Sequence, residues 1–323
     1  MNEIAKMVSQ IIDLQDILIV GHVMPDGDDI SSVASLTLGL KQLGKNCFGS
    51  IDSKIPDYYK VFAGVNEIKS YDEILNFVPQ LIVVLDSSSP DRVGRFEPML
   101  SNHRTIVIDH HSTNTLFGDI NWVDTSYAAT AQMVYTLNKV LGITYDSELA
   151  TTNLMGMATD SGFFRFSNTD ERLFKDAAEL VRFGAKPYFI ATTILENKRP
   201  EQMKLYCTMI NHMILEDSLV YSWLSYEDYL ENNCVEDDST GFVGEMRALK
   251  DVEVAILFTE FPKNEIHVSF RSKNWFDVSR VASILGGGGH ARAAGCSFKG
   301  TKLEDVLKEV VSLTKDFLQG GIK

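Results

Sequence analysis

Residues 105–111 read TIVIDHH, a β-branched apolar run that closes on Asp109, His110 and His111. A short apolar run bounded by polar residues reads as a buried strand of a parallel sheet, and ligands on such sheets bind at the carboxyl ends of strands. Three side chains able to ligate a metal or carry a proton would therefore sit where a ligand sits. A solvated turn with two incidental histidines is the competing reading. The tripeptide alone does not choose between them, and the choice falls to the rest of the chain.

Two earlier segments repeat the layout. Residues 17–20 are a short apolar strand, followed by GHVMPDGDDISS and an apolar-periodic helix over 33–43. The loop holds His22, Asp26 and Asp28, with Pro25 and Gly27 shaping the backbone between them. Its negative charge is unlike a phosphate cradle, where backbone amides and a lysine face the anion. Carboxylates with an imidazole suit a hard or borderline cation such as Mn or Mg. Asp28 or Ser31 can also simply cap the following helix. A cap needs one such residue, and this loop supplies four acids or imidazoles within eight positions. Further on, the run 81–85 delivers Asp86 at its end, parallel in position to His22 and Asp109.

Downstream, a helix from Ser147 leads into GMATDSGFFRFSNT, which carries Asp160 beside Ser161 and Gly162. The aromatic run 163–166 can stack a base, although packing under a loop is the commoner fate of such a run. Helices are expected over 171–183 and 188–195. At NKRPEQM the apolar periodicity breaks at a proline, so we expect a catalytic domain over 1–196, a linker over 197–205 and a second domain over 206–323. The second domain reads as strands (MILEDSLVYSWLS, VEVAILFTEF, EIHVSFRS) interleaved with helices. It ends in LGGGGHARAAGCSF. Glycines at such a point let backbone amides approach a ligand, and His290 and Arg292 add donors. Arg271, at the end of EIHVSFRS, is a candidate anion clamp, because a guanidinium grips phosphate oxygens with two bonds.

Composition bounds these readings. The 323 residues allow two ordinary domains, and 45% hydrophobic with 23% charged residues is a folded globular composition. A formal charge of -14 argues against coating long nucleic acid, which needs many Lys and Arg. A small anion held by local cations remains allowed. The acidic N-terminal segment lacks signal-peptide layout, and no apolar run reaches the ~18 residues of a membrane span. Cys47, Cys207, Cys234 and Cys296 are scattered and read as reduced thiols, so a cytoplasmic location is expected.

In order, GHVMPDGD, VVLDSSSP, IDHH and ATDSG, then FRS and GGGGHARAAG, resemble the DHH phosphoesterase superfamily with its associated C-terminal domain. Within it the chain looks most like the oligoribonuclease (nanoRNase)/pAp-phosphatase branch, which degrades very short RNAs and removes a phosphate from 3′-phosphoadenosine 5′-phosphate. The resemblance spans His22 to Gly295. It implies an α/β fold: an N-terminal domain with a largely parallel sheet flanked by helices, plus a smaller C-terminal α/β domain with a mixed sheet.

The resemblance also implies two divalent cations, usually Mn2+, with Mg2+ or Co2+ as alternatives. His22, Asp26 and Asp86 would hold one ion and Asp28, His110 and Asp160 the other, with Asp86 bridging. Asp109 would orient its neighbours and His111 would face the substrate phosphate. Arg271, Gly287, Gly288, Gly289 and His290 would bind the substrate's terminal phosphate or sugar across a cleft that admits only a short substrate. Hydrolysis would proceed by a metal-bridging hydroxide. The expected partner is thus a short oligonucleotide or nucleotide bisphosphate, with no membrane; a homodimer is allowed. Alternatives are a linear or cyclic dinucleotide phosphodiesterase on the same scaffold, an inorganic pyrophosphatase of the superfamily, and a catalytically silent nucleotide-binding sensor. One departure from the family pattern is Asp29-Ile30-Ser31-Ser32, where a small residue and Gly-Ser are usual. Ser31 is expected to tighten the turn, and Asp29 to add negative charge near the metals.

Overall fold

The apolar runs that end at His22, Asp86 and Asp109 are neighbouring strands of one sheet in the computed structural model, which describes residues 3–263 and 265–320, with the backbone only at His290. The chain divides into two units, Met1–Asn197 and Lys198–Lys323.

The first unit runs α1 (Glu3–Asp13), β1 (Asp16–Val20), α2 (Gly27–Gln42), β2 (Asn46–Ser50), β3 (Leu81–Leu85), α3 (Glu97–Leu100), β4 (Thr105–Asp109), β5 (Ile120–Val123), α4 (Thr130–Val140), α5 (Ser147–Asp160), α6 (Glu171–Arg182) and α7 (Pro187–Leu195). Short 3-10 turns fill the stretch between β2 and β3. The five strands pair in parallel in the order β2-β1-β3-β4-β5. Alternate residues of the three central strands, β1, β3 and β4, enter opposite cores. Ile17, Ile19, Val83, Leu85, Ile106 and Ile108 pack under α2, α4 and α5, whereas Leu18, Val20, Ile82, Val84 and Val107 face Val93 and Phe96. Burial on both faces is why these strands read as unbroken apolar runs rather than as alternation.

Two strand connections leave β1 and β3 in opposite directions, β1 toward β2 at one edge and β3 toward β4. Such a reversal opens a crevice at the carboxyl ends of the two strands. His22 follows β1 and Asp86 follows β3, so sheet order alone brings these two side chains together.

The helix α2 begins at Gly27, six positions before the apolar periodicity suggested. Asp26 caps it, accepting the N–H of Asp28 at 3.0 Å and of Asp29 at 3.1 Å. The helix is enclosed by the sheet, α4 and α5, so even Asp28, Asp29, Ser31 and Ser32 are buried and no apolar stripe marks its first turn. Ser31 therefore lies inside a helix and does not tighten a turn. Its hydroxyl donates to the Thr152 carbonyl at 2.7 Å and ties α2 to α5.

The second unit runs α8 (Pro200–Asn211), β6 (Ile214–Glu216), β7 (Leu219–Leu224), α9 (Tyr226–Glu231), α10 (Phe242–Arg247), β8 (Val254–Phe261), β9 (Glu265–Ser272), α11 (Val278–Ile284), β10 (Gly288–His290), β11 (Ala293–Lys299) and α12 (Leu303–Leu318). Its sheet has the order β10-β11-β9-β8-β7-β6 and is mixed, since β7 and β8 are parallel and the other pairs antiparallel. One core lies under α11 and α12 and a second under α8 and α10. The expected linker over 197–205 is corrected here: residues from Pro200 onward are the first turns of α8. Proline suits the first helical position, where its missing N–H has no partner to lose.

Candidate metal centre

Six of the predicted ligands and both neighbours of His110 gather at the carboxyl end of the first unit's sheet. Three groups have potential ligand atoms within 4.8 Å of one another: His22, Asp26 and Asp86; Asp28, His110 and Asp160; and Asp86, His110 and His111. Asp86 belongs to two of these groups, and its Oδ1 lies 3.6 Å from His110 Nε2, an atom of the other. Asp160 arrives from elsewhere, as the last residue of α5. The approach of α2 to α5 that brings it in depends on Gly27, because a Cβ there would sit 2.5 Å from Thr159 Oγ1.

Each side chain is held by a local device. Asp26 uses Oδ1 to cap α2. Asp28, fully buried, accepts the Thr130 N–H at Oδ2 (2.6 Å) and the Ala131 N–H at Oδ1 (2.8 Å), so it caps α4, whose own preceding residue is Ala129. Asp86 sits at φ +54°, a left-handed conformation uncommon outside glycine, and accepts from Thr130 Oγ1 at 2.8 Å. Non-glycine residues held there cluster at functional sites. The His22 Nδ1–H donates to the Val23 carbonyl at 2.9 Å, which points Nε2 toward Asp86 Oδ2, 3.7 Å away. Asp109 Oδ1 accepts from His111 Nδ1 at 2.6 Å, and its Oδ2 accepts from Asn114 Nδ2 at 2.7 Å.

The donor set fits divalent cations. His110 Nε2 is buried with no hydrogen-bond partner, yet it faces carboxylate oxygens of Asp86 and Asp160 at 3.6 Å and Asp28 at 3.9 Å. These separations are too long for hydrogen bonds and suit groups that share an ion between them. The electrostatics agree. Burial, with the charges of Asp86 and Asp160, pushes the Asp28 carboxyl well above its ordinary range. Burial also pushes Asp160 up to about 7 and Asp29 up to about 8. So many enclosed carboxylates resist ionising together unless a cation balances them. For His111, burial opposes the charged ring, but the Asp109 hydrogen bond and the Asp86 charge outweigh it and push it up to about 9.

Several supporting residues were missed at the sequence level: Thr130, Asn114 and Asn168, whose Nδ2 bonds the Asp160 carbonyl at 3.3 Å. Thr130 follows an alanine-rich stretch and carries no motif. Asp29 does lie among the acids of this centre, but it also has a job of its own, accepting the His22 N–H at 3.0 Å. Phe163 and Phe164 pack against the core, and Phe164 stacks on Phe174 with centroids 5.5 Å apart, so packing accounts for both rings.

In the second unit, Arg271 Nη1 donates to the Phe270 carbonyl at 2.9 Å. Burial and the like charge of Arg247, a residue not singled out in the sequence, both lower its pKa. The glycine run is no open loop. Gly288, Gly289 and His290 form β10, paired with Gly295, Ala294 and Ala293 across a two-residue turn. A Cβ on Gly287 would meet the Gly295 carbonyl at 2.1 Å, and Gly289 has φ +137°, so these two glycines are already required by the hairpin. Gly288, between them, faces open space, as does Gly286 at the start of the run. The His290 side chain lies outside the described residues.

Comparison with known proteins gives consistent matches. Residues 16–157 match the DHH family, N-terminal domain, and residues 216–316 match the DHHA1 domain. The chain is 34% identical over 307 residues to the bifunctional oligoribonuclease and PAP phosphatase NrnA of Thermus thermophilus, covering 94% of this chain and 90% of that one. It is 27% identical to the protein of the same name from Bacillus subtilis, covering 94% and 97%. Among solved structures, an exopolyphosphatase-related protein from Bacteroides fragilis superposes with a TM-score of 0.90 at 25% identity, covering 98% of this chain and 96% of that one.

Proposed function

The chain belongs to the DHH family, with a DHHA1 domain following, and from that membership we propose that it is a manganese-dependent phosphoesterase acting on short oligonucleotides and on 3′-phosphoadenosine 5′-phosphate. One observation carries the proposal: the unpartnered His110 Nε2 enclosed by three carboxylates. His22, Asp26 and Asp86 would hold one cation and Asp28, His110 and Asp160 a second, with Asp86 shared. Bound there, two divalent cations supply the positive charge that stabilises the attacking and leaving oxygens of an in-line displacement at phosphorus.

The protein's own groups do the remaining work. Asp109 fixes the His111 ring through Nδ1. Its other nitrogen, Nε2, is the atom we assign to the substrate phosphate, where a hydrogen-bond donor strengthens as negative charge builds on the oxygen. In the second unit we assign the far part of the substrate to Arg271, Gly287, Gly288, Gly289 and His290, with Arg247 as a further cation. A phosphate would relieve the repulsion between the two guanidiniums. The acidic composition then suits a short anion bound at a few cationic points, and the intracellular setting of such substrates suits a cytoplasmic protein.

The test is turnover with Mn2+ of pApA, a 24-mer RNA, 3′-phosphoadenosine 5′-phosphate, cyclic di-AMP and pyrophosphate, run in parallel with His110→Ala. We expect cleavage of pApA and 3′-phosphoadenosine 5′-phosphate, slow or no cleavage of the 24-mer, and a loss of at least about 100-fold in the variant, as expected when a metal ligand is removed. Turnover of none of the five would sink the enzyme reading. Full activity in the variant would sink the ligand assignment.

A further inference from the structure

Of the chain's three tryptophans, Trp122 is 7% exposed while Trp275 is 61% exposed. Trp275 lies in the turn between β9 and α11, and that turn is pinned from both sides. The Glu253 carboxylate, buried beneath it, accepts the backbone N–H groups of Asn274 at 2.9 Å, Trp275 at 2.7 Å and Phe276 at 2.8 Å. Opposite, Arg292 donates to the Phe276 carbonyl at 2.6 Å. Below the indole is the buried Phe276 ring, with centroids 5.8 Å apart and planes at 73°. A single exposed apolar side chain is ordinary. Here the backbone that carries the indole is fixed, and a ring presented from a fixed backbone binds a flat partner at a lower ordering cost than one on a mobile loop.

The surroundings indicate which partner. Ser272 N–H donates to the Arg292 carbonyl at 3.1 Å, and Val278 N–H to the Ala291 carbonyl at 3.0 Å. Ala291 and Arg292 are the two-residue turn of the β10–β11 hairpin, and Arg271 pairs with Ala293. The tryptophan turn, Arg271 and the glycine hairpin therefore meet at one end of the second unit's sheet. We infer that Trp275 is the platform on which a base of the substrate stacks, beside the anion-binding groups of the same sheet end. The inference rests on the phosphoesterase reading above and deepens it. Every base has a π face, so an indole selects for nucleotides without selecting among them.

Two measurements on the full chain test this. With chelator present to prevent turnover, pApA should quench tryptophan fluorescence saturably, ribose 5-phosphate should not, and Trp275→Phe should abolish the response. With Mn2+, Trp275→Ala should raise KM for pApA about 5- to 100-fold, from the usual strength of base–aromatic stacking, and leave kcat and the melting midpoint near those of the parent. Trp275→Phe, which keeps a ring, should restore most of that KM. An unchanged KM in Trp275→Ala, in a protein that still cleaves pApA, would overturn the inference. Quenching that survives Trp275→Phe would overturn it as well. If the intact protein cleaves no nucleotide but shows Trp275-dependent quenching, the catalytic reading fails and the stacking platform stands.

Discussion

Thr130 carries more of the metal centre than any motif residue outside the ligands. Its N–H bonds Asp28 and its hydroxyl bonds Asp86, so one residue at the start of α4 aligns one carboxylate proposed for each ion. Partners that orient metal ligands typically contribute 10- to 100-fold to affinity. Thr130→Val keeps the backbone bond and the volume but deletes the hydroxyl. We expect it to weaken Mn2+ binding by about 10- to 100-fold with the fold intact. Titration of the apo protein with Mn2+ by calorimetry checks this, and an affinity within a factor of two of the parent would show that Asp86 needs no such partner.

At the scale of elements, the second unit depends on a buried carboxylate between β8 and the turn before α11. Burial by itself would raise the Glu253 pKa, but the three N–H donors from Phe276, Asn274 and Trp275 and the Arg292 charge hold it below its ordinary 4.5. The sign of the linkage follows. A carboxyl with a depressed folded pKa contributes stability that is fully present above the unfolded value and is lost as pH falls through the folded one. The second unit should therefore lose stability below about pH 4.5, in step with protonation of Glu253. Glu253→Gln, which presents one acceptor in place of two, should destabilise it by about 1–3 kcal/mol at neutral pH and flatten that acid limb. Chemical denaturation from pH 7 to pH 3 would reveal this, and parallel acid limbs in parent and variant would refute it. In the glycine run of the same unit, close pairing of β10 on β11 demands Gly287 and Gly289, a structural reason for glycine that the sequence did not record.

At the scale of the whole molecule, the two units have separate cores, and all six proposed metal ligands lie in the first. A cation that binds only the folded form stabilises it by mass action, about 2.7 kcal/mol at a concentration 100-fold above Kd. For a unit of this size that is a shift of roughly 5–10 °C. Calorimetry with chelator and then with Mn2+ should move the transition of the first unit upward and leave that of the second in place. Equal movement of both, or of neither, would contradict a site confined to the first unit. Among the described residues no helix is long and apolar enough to cross a membrane. Much of this organisation was legible in the sequence. The three central strands of the first unit were visible as apolar runs, since burial on both faces demands β-branched and aliphatic residues at every position, and candidate ligands stood out just past the ends of those runs. Local pattern also placed the mixed sheet of the second unit. Tertiary structure alone decided the start of α2, the packing role of Ser31, the hairpin hidden in the glycines and the residues that orient the ligands. The reason is distance along the chain. Apolar periodicity is recorded within a few residues, whereas the bonds from Thr130 to Asp86 and Asp28 span 44 and 102 positions and exist only once the order of the strands has been set.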